Sequence, residues 1–310
     1  MSAVLYDIPG PRAKRRVLIG TVVGGLVLAG IVAVALWKLA DKHQLEGAMW
    51  SPFADPGVQR QLLRGLLNTI KAAILAIVFA LVLGALLATA RLSEHRWIRI
   101  PATIVVEFFR SVPLLLLILF GFFAYGKQLS FLGDALDAQP PDAFAALIVG
   151  LTLYNGSVLA EVFRAGVNAV ARGQSEAAYA LGMRKTQVMT LILIPQAVRI
   201  MLPAIISQCV VALKDSALGF IISYEELLNI GKSVYRRPDL FGLPRSPIIQ
   251  TVVVIAIIYI LLNLLLSWVA RVLERRMSRA TKLAVSKDKL RELPTGEVGQ
   301  TVVPEADTRT

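Results

Sequence analysis

Cysteine occurs once in the 310 residues, at Cys209, and histidine twice, at His43 and His95. A single cysteine excludes a disulfide framework and a cysteine-based metal site. Its place inside an apolar run suits small-residue packing. The two histidines stand alone in separate polar stretches, so no Ser–His–Asp set and no His/Cys/carboxylate metal cluster is credible. No G-x-x-x-x-G-K-[ST] occurs, which excludes ATP binding in the P-loop manner. The chain therefore lacks the equipment of an enzyme, and no catalytic residue or metal is expected in it. Charge is scarce as well: 17% of residues are charged against 56% hydrophobic. With a mean hydropathy of +0.65, the chain is too apolar for a soluble domain and points to a polytopic membrane protein.

What is present are long apolar runs. A helix crosses a bilayer in roughly 20 residues, and six candidates lie near 17–37, 65–90, 101–125, 143–168, 188–213 and 248–270. The first, VLIGTVVGGLVLAGIVAVALW, follows the basic residues Arg12, Lys14, Arg15 and Arg16. Its apolar part exceeds the roughly 7–15-residue core of a signal peptide and no A-x-A site follows, so a retained helix is expected. The net charge of +12 is unevenly spread. If the first helix enters from the cytoplasm, segments 1–16, 91–100, 164–187 and 271–310 carry 20 of the 33 Lys+Arg, and the outer segments carry 10, matched by 10 Asp+Glu. That is the positive-inside pattern and places both termini in the cytoplasm. The basic balance thus reports topology, and no nucleic-acid partner is needed.

Residues 38–61 contain turn formers and two amphipathic aromatics, and are expected as an outer loop lying partly in the interface. The stretch from about 281 is polar and aperiodic and is expected to be disordered. No internal repeat is visible, which weakens a reading as an inverted-repeat secondary transporter.

One stretch interrupts the apolar pattern: EAAYALGMRKTQVMTLILIP, residues 176–195, on the cytoplasmic side between the fourth and fifth spans. Glu176, Ala177, Ala178, Ala180 and Leu181 favour a helix, Gly182 ends or bends it, and Thr186 with Gln187 can start the next. A short helix lying in the loop is predicted, with small residues exposed and Glu176 near its N-terminal end, where the dipole favours a negative charge.

The spacing Glu-Ala-Ala, three residues, Gly, nine residues, Ile-x-Leu-Pro resembles the signature of ABC-importer permease subunits. Here it reads Glu176-Ala177-Ala178, Gly182 and Ile192-x-Ile194-Pro195, with Ile194 where the pattern has Leu. VEFFRSVPLL at 106–115, YNGSVLAEVFRAGVNAVARGQSEAA at 154–178 and IPQAVRIMLPAIISQCVVALKDSALG from Ile194 resemble the polar amino-acid branch of that family. The N-terminal VLYDIPGPRAKRR, YNGS and ALKDSALG are similar to glutamate-uptake permeases. The resemblance implies an all-α type I importer fold over 62–272, with 1–61 as an added cytoplasmic N-terminus, helix and outer loop, and 273–310 as a cytoplasmic tail. It also implies that Glu176, Ala177, Ala178, Gly182 and Pro195 belong to a coupling helix and its exit, docked in a cleft on an ATPase subunit. Two ATPases, holding ATP and Mg, are then expected on the cytoplasmic side. A second permease chain, this one or a homologue, and an extracellular solute-binding protein complete the assembly.

Ionisable groups inside a membrane are costly and become functional candidates. Glu107 and Arg110, three apart on one face of the third helix, can neutralise each other or serve as receptor groups for an amino acid, with Arg110 taking a carboxylate. Pro113 marks a place to kink. Tyr154, Asn155, Gly156 and Ser157 place hydrogen-bonding groups in the apolar fourth helix, either as glue between helices or as pathway lining, and Glu161 follows as a candidate ammonium partner. Asn155-Gly156-Ser157 also matches a glycosylation sequon, which its intramembrane position disfavours. Arg164 is expected to snorkel or to pair with a neighbouring loop. Lys214, Asp215 and Ser216 are assigned by the resemblance to an outer gate, with a plain exposed ion pair as the other reading. Pro195 and Pro203 divide the fifth helix and suggest a hinge.

Taken together, these features predict the permease subunit of an ATP-driven, binding-protein-dependent importer of a polar amino acid, glutamate first. Glutamine, arginine or histidine as substrate, and an ion-coupled secondary transporter, are the alternatives.

Overall fold

A computed structural model describes residues 10–138 and 140–291. Regular structure among these residues is helical: α1 (Pro11–Asp41), α2 (Pro56–Arg91), α3 (Arg96–Ser111), α4 (Leu114–Asp134), α5 (Pro141–Asn168), α6 (Arg172–Ala180), α7 (Lys185–Gln187), α8 (Ile194–Asp215), α9 (Leu227–Tyr235) and α10 (Ile248–Arg291). Turns of 3-10 helix lie at Gly47–Ala54, Ser216–Ile222 and Pro238–Phe241, and Val188–Leu193 is π-helical. Six segments are long and apolar enough to cross a membrane: α1, α2, α4, α5, the broken run Lys185–Ile222 and Ile248–Val269 of α10.

Three boundaries differ from expectation. The third span is not continuous over 101–125; it breaks between Ser111 and Leu114, and the segment able to cross is Leu114–Asp134. Pro113 forces the break, because its ring disfavours helical backbone at the preceding residue, and Val112 is extended (φ −79°, ψ 129°). The Ser111 hydroxyl reinforces the stop by bonding the Glu107 carbonyl at 2.7 Å. α2 begins at Pro56, inside the outer loop expected to reach residue 61, because the Asp55 carboxylate accepts from Gly57 N–H (2.7 Å) and Val58 N–H (3.0 Å). α10 continues to Arg291, so residues 273–291 of the expected tail are helical backbone. The expectations for residues 1–9 and 292–310 lie outside the described residues.

The fifth span is irregular just before Pro195, as expected, but is not divided at Pro203. Pro195 lacks an N–H and its ring crowds the carbonyl four residues back, so the backbone widens into the Val188–Leu193 π-helix before α8 begins. Pro203 stays inside α8, where the Ser207 hydroxyl takes its carbonyl at 2.9 Å.

The chain divides into two units. One runs to Arg64 and includes Ile230–Ala256. In it the loop after α1 is tied down by Gln44 Nε2 donating to Ser246 O at 3.2 Å, Arg245 Nη1 donating to Lys42 O at 3.0 Å, and Gln250 donating to Gln44 O.

The other unit comprises Gly65–Asn229 and the chain from Ile257, and is organised around α5. Phe144, Leu147 and Leu151 of α5 pack with Ala72 and Ala76 of α2, Ile118 of α4, and Tyr224. Lipid gives helices no hydrophobic reason to associate, so close approach through small residues has to supply the contact. A Cβ on Gly84 would meet Gly156 O and Leu159 Cβ at 2.9 Å, and one on Gly150 would meet Ile118 Cγ1 at 2.7 Å. Gly84→Leu is expected to destabilise the chain by about 1–3 kcal/mol through overpacking. Heating in detergent should show less folded protein than wild type. Gly20→Leu on α1, where nothing lies within 4 Å, should melt like wild type.

Candidate functional site

The 176–195 stretch forms the predicted short helix. α6 presents Glu176, Ala177 and Tyr179 to its surroundings and buries Ala178. It ends in a left-handed cap: Gly182 has φ +78°, its N–H reaches Tyr179 O at 2.9 Å, and Met183 N–H reaches Ala178 O at 3.2 Å. These two bonds satisfy carbonyls that the last helical turn would otherwise leave open. Leu181 beside the cap is 83% exposed, an apolar side chain standing free on a polar turn. The Gln187 side chain accepts from Arg184 N–H at 2.8 Å, starting the next helix as expected. Gln196 Nε2 donates to Gln174 Oε1 at 3.4 Å, tying α6 to α8 beside the exposed Pro195. Lys185 bonds Glu94 at 2.8 Å, linking this stretch to the loop between α2 and α3 and holding the Glu94 carboxyl below its usual range.

A second cluster gathers charges from three helices. Arg91, the last residue of α2, donates from Nη1 to Glu161 Oε2 at 2.8 Å and from Nη2 to Glu107 Oε1 at 3.4 Å. Arg164 holds Glu161 from the same helix, with Nε 3.1 Å from Oε2 and Nη2 bonded to Oε1. Among the described residues Arg110 hydrogen-bonds only Glu107, at 3.5 Å, though its charge also reaches Glu161. The structure thus brings Glu107, Arg110 and Glu161 together, on α3 and α5. Three guanidinium groups face two carboxylates, leaving one positive charge in excess. Their freedom differs: the Arg91 side chain is 8% exposed, Arg110 36% and Glu107 53%. Glu161 has both oxygens occupied, and Arg164 pairs with it instead of with a neighbouring loop. Sequence reasoning missed Arg91; its signal was the first charge to follow a long apolar run.

The model of the family described as "Binding-protein-dependent transport system inner membrane component" matches residues 80–279. The chain belongs to this family. Among its relatives is a glutamate transport system permease protein of Corynebacterium glutamicum, 40% identical over 255 residues, which cover 80% of this chain and 88% of the relative. A putative glutamine transport system permease protein of Rickettsia felis is 30% identical over 216 residues, 70% of this chain and 92% of the relative. Among solved structures, a chain from the crystal structure of an amino acid ABC transporter with histidines has a TM-score of 0.60 at 28% identity, covering 70% of this chain and 94% of that one. The inward-facing methionine transporter MetNI has a TM-score of 0.53 at 18% identity, over 72% of this chain and 98% of that one, and shares the fold.

The other candidate residues of this permease do not join the charge cluster. Asn155 is buried on α5, donates to Leu151 O at 2.9 Å and accepts from Gln208 Nε2 of α8 at 2.7 Å. It glues two helices of the permease core. Ser157 is wholly buried, and its hydroxyl has no hydrogen-bond partner among the described residues. Tyr154 packs against the Phe144 cluster. At the far end of α8, Lys214 is exposed, Asp215 partly buried, and Ser216 fully buried with its hydroxyl bonded to Leu213 O at 2.7 Å. Neither Lys214 nor Asp215 joins the close ion pairs among the described residues, although the Lys214 charge still acts on the Asp215 carboxylate. A cavity of about 640 Å³, lined mainly by apolar side chains such as Phe163, Met189, Val198, Met201 and Ile205, opens near Glu94 and Lys185. Its chemistry suits hydrocarbon rather than a polar solute.

Proposed function

We propose that this permease is the membrane-spanning subunit of an ATP-driven, binding-protein-dependent importer for glutamate. The observation that carries the mechanism is α6, a capped helix in the loop between two spans with Leu181, Tyr179 and Ala177 exposed. A partner groove can approach its small side chains closely and take Leu181 as an apolar anchor. In this reading α6 is the coupling helix, seated on an ATPase subunit that holds ATP and Mg. ATPase closure moves α6 together with α8 through the π-helical bend.

The excess of Lys and Arg on the α6 side supports a cytoplasmic location for that side and for both termini. Two ATPases, a second permease chain and an extracellular solute-binding protein complete the assembly. Lys214, Asp215 and Ser216 then belong to the outer gate, whereas Tyr154, Asn155 and Ser157, wholly or partly buried between helices, serve the packing of the core. The kinship with a glutamate permease supports an acidic amino acid as solute, and so does the extra positive charge around Arg110. Arg110 is the arginine held least tightly, so it can exchange Glu107 for a substrate carboxylate. Glu107, the more exposed carboxylate, is freer than Glu161 to meet the ammonium group.

Arg110→Ala is expected to reduce glutamate uptake by about tenfold or more, the scale of losing one charge-assisted hydrogen bond, while the ATPase still co-purifies. Arg110→Lys, which keeps the charge but not the fork, should fall between. Unchanged uptake by Arg110→Ala would assign Arg110 to structure alone. Competition by unlabelled glutamine, arginine or histidine as strong as by glutamate would move the substrate to another polar amino acid.

A further inference from the structure

The segment that follows α8 is held by a buried carboxyl group that the transport reading does not use. After the Ser216–Ile222 turn the chain reverses at Ser223 (φ 64°) and buries Tyr224 and Glu226 completely. Four hydrogen bonds fasten this segment to α2 and α10. Asn68 Nδ2 donates to Glu225 O at 2.8 Å, the Tyr224 hydroxyl to Asn68 O at 3.2 Å, and Leu227 N–H to Thr69 Oγ1 at 3.1 Å. The fourth bond runs from the Tyr259 hydroxyl of α10 to Glu226 Oε2 at 2.8 Å. Glu226 also caps α9, accepting Leu228 N–H at 2.8 Å and Asn229 N–H at 2.6 Å.

We propose that Glu226 is a protonation-controlled latch, whose carboxyl group pins the Ser216–Asn229 segment to α2 and α10 while protonated and loosens it on ionisation. Burial favours the neutral form, and the neighbouring hydroxyls can accommodate it. Tyr259 lies within hydrogen-bonding reach of Thr69 as well as of Glu226. With Glu226 protonated, the phenol oxygen accepts the new O–H and turns its own proton to Thr69 Oγ1, so no bond is lost and no bare charge sits among buried groups. Among the described residues, the titratable groups that interact with Glu226 are the phenol of Tyr259 from α10 and, from its own segment, that of Tyr224, on which Glu225 also acts. α2 offers Asn68 and Thr69, which do not titrate. Lys71, further along α2, turns its ammonium to Leu136 O and over the Phe144 ring.

Burial pushes the Glu226 carboxyl up to about 7, against the lowering effect of the two backbone N–H groups and Tyr259. A released Glu226 would meet water and ionise at its ordinary value of 4.5. A raised value in the closed form means that closure is fully favoured below the ordinary value, weakens as pH rises, and levels off above about 7. Within that window the closed-to-open ratio falls about tenfold per pH unit.

The test is hydrogen exchange over residues 223–229 in the full chain in lipid nanodiscs, from acid to mildly alkaline pH, corrected for intrinsic exchange rates. Wild type should lose protection up to about pH 7 and then level off. Glu226→Gln should give protection independent of pH. Tyr259→Phe removes a bond to the ionised form and should carry the loss to higher pH. A flat wild-type profile, or a Glu226→Gln profile that follows wild type, overturns the latch. The consequence for transport, an uptake rate whose pH dependence disappears in Glu226→Gln, rests on the permease reading. The exchange measurement does not, so failure of the one is distinguishable from failure of the other.

Discussion

Gly182→Asp is expected to abolish ATP-driven uptake while the chain still reaches the membrane in normal amount. Gly182 sits at φ +78° with nothing within 4 Å of an added Cβ, so space does not oppose a side chain there. Conformation and charge do. A left-handed backbone costs an L-residue roughly 1–2 kcal/mol, less for Asn and Asp, which bond locally. A carboxylate at a helix C-terminus also opposes the dipole by about 0.3–1 kcal/mol. Neither term unfolds a membrane protein, but together they loosen the cap that aims Leu181, and they set a negative charge at the proposed contact with the ATPase. Comparing variants separates the causes. Gly182→Asn, which tolerates the left-handed region, should keep most uptake. Gly182→Ala, which pays the backbone strain without the charge, should lie between. If Gly182→Asp transports normally while present in the membrane, the coupling role of α6 is withdrawn.

Arg91→Met should be the most destabilising single change in the charge cluster, by about 3 kcal/mol, the lower end for breaking a buried pair because Arg164 still holds Glu161. Arg91 is nearly buried and bridges two helices besides its own, through Glu107 on α3 and Glu161 on α5. Its loss leaves Glu161 short of one donor and releases Glu107 from α2. Arg91→Met combined with Glu161→Gln should recover part of the loss, because the unpaired charge goes with the arginine. The measurement is a thermal melt of the four species of this cycle in detergent. A single mutant as stable as wild type would mean that the bridge contributes nothing. Glu107→Gln, on a side chain more than half exposed, should change stability far less.

The helical class and the number of spans were legible because hydropathy is additive along the chain. Six apolar runs are visible in the sequence, and six segments able to cross appear in the structure. The short loop helix was legible for a local reason: Glu176-Ala177-Ala178 followed by Gly182 is a helix with its stop written beside it. Pro113 was visible too, and its effect was underestimated. A proline after a β-branched residue ends the helix outright at Val112, which moves Glu107 and Arg110 out of the third span and onto α3. The reach of α10 past residue 273 escaped because polar side chains without periodicity carry no signal of a continuing helix.

The partners of the charged and polar groups were not legible at all. Glu107 and Arg110 are three apart and announce each other, but the residue that binds them to α5 is Arg91, sixteen positions before Glu107. Asn155 finds Gln208 fifty-three positions away, and Glu226 finds Tyr259 at thirty-three. By itself the sequence determined that this protein is a bundle of apolar helices with a capped loop helix, since both follow from the order of neighbouring residues. Only the tertiary structure decided which charges neutralise one another, which arginine is left loosely held, and which carboxyl group is buried against a phenol. Those outcomes depend on how α2, α3, α5, α8 and α10 approach in space, and close approach is set by small residues such as Gly84 and Gly156 whose contacts no local pattern reveals.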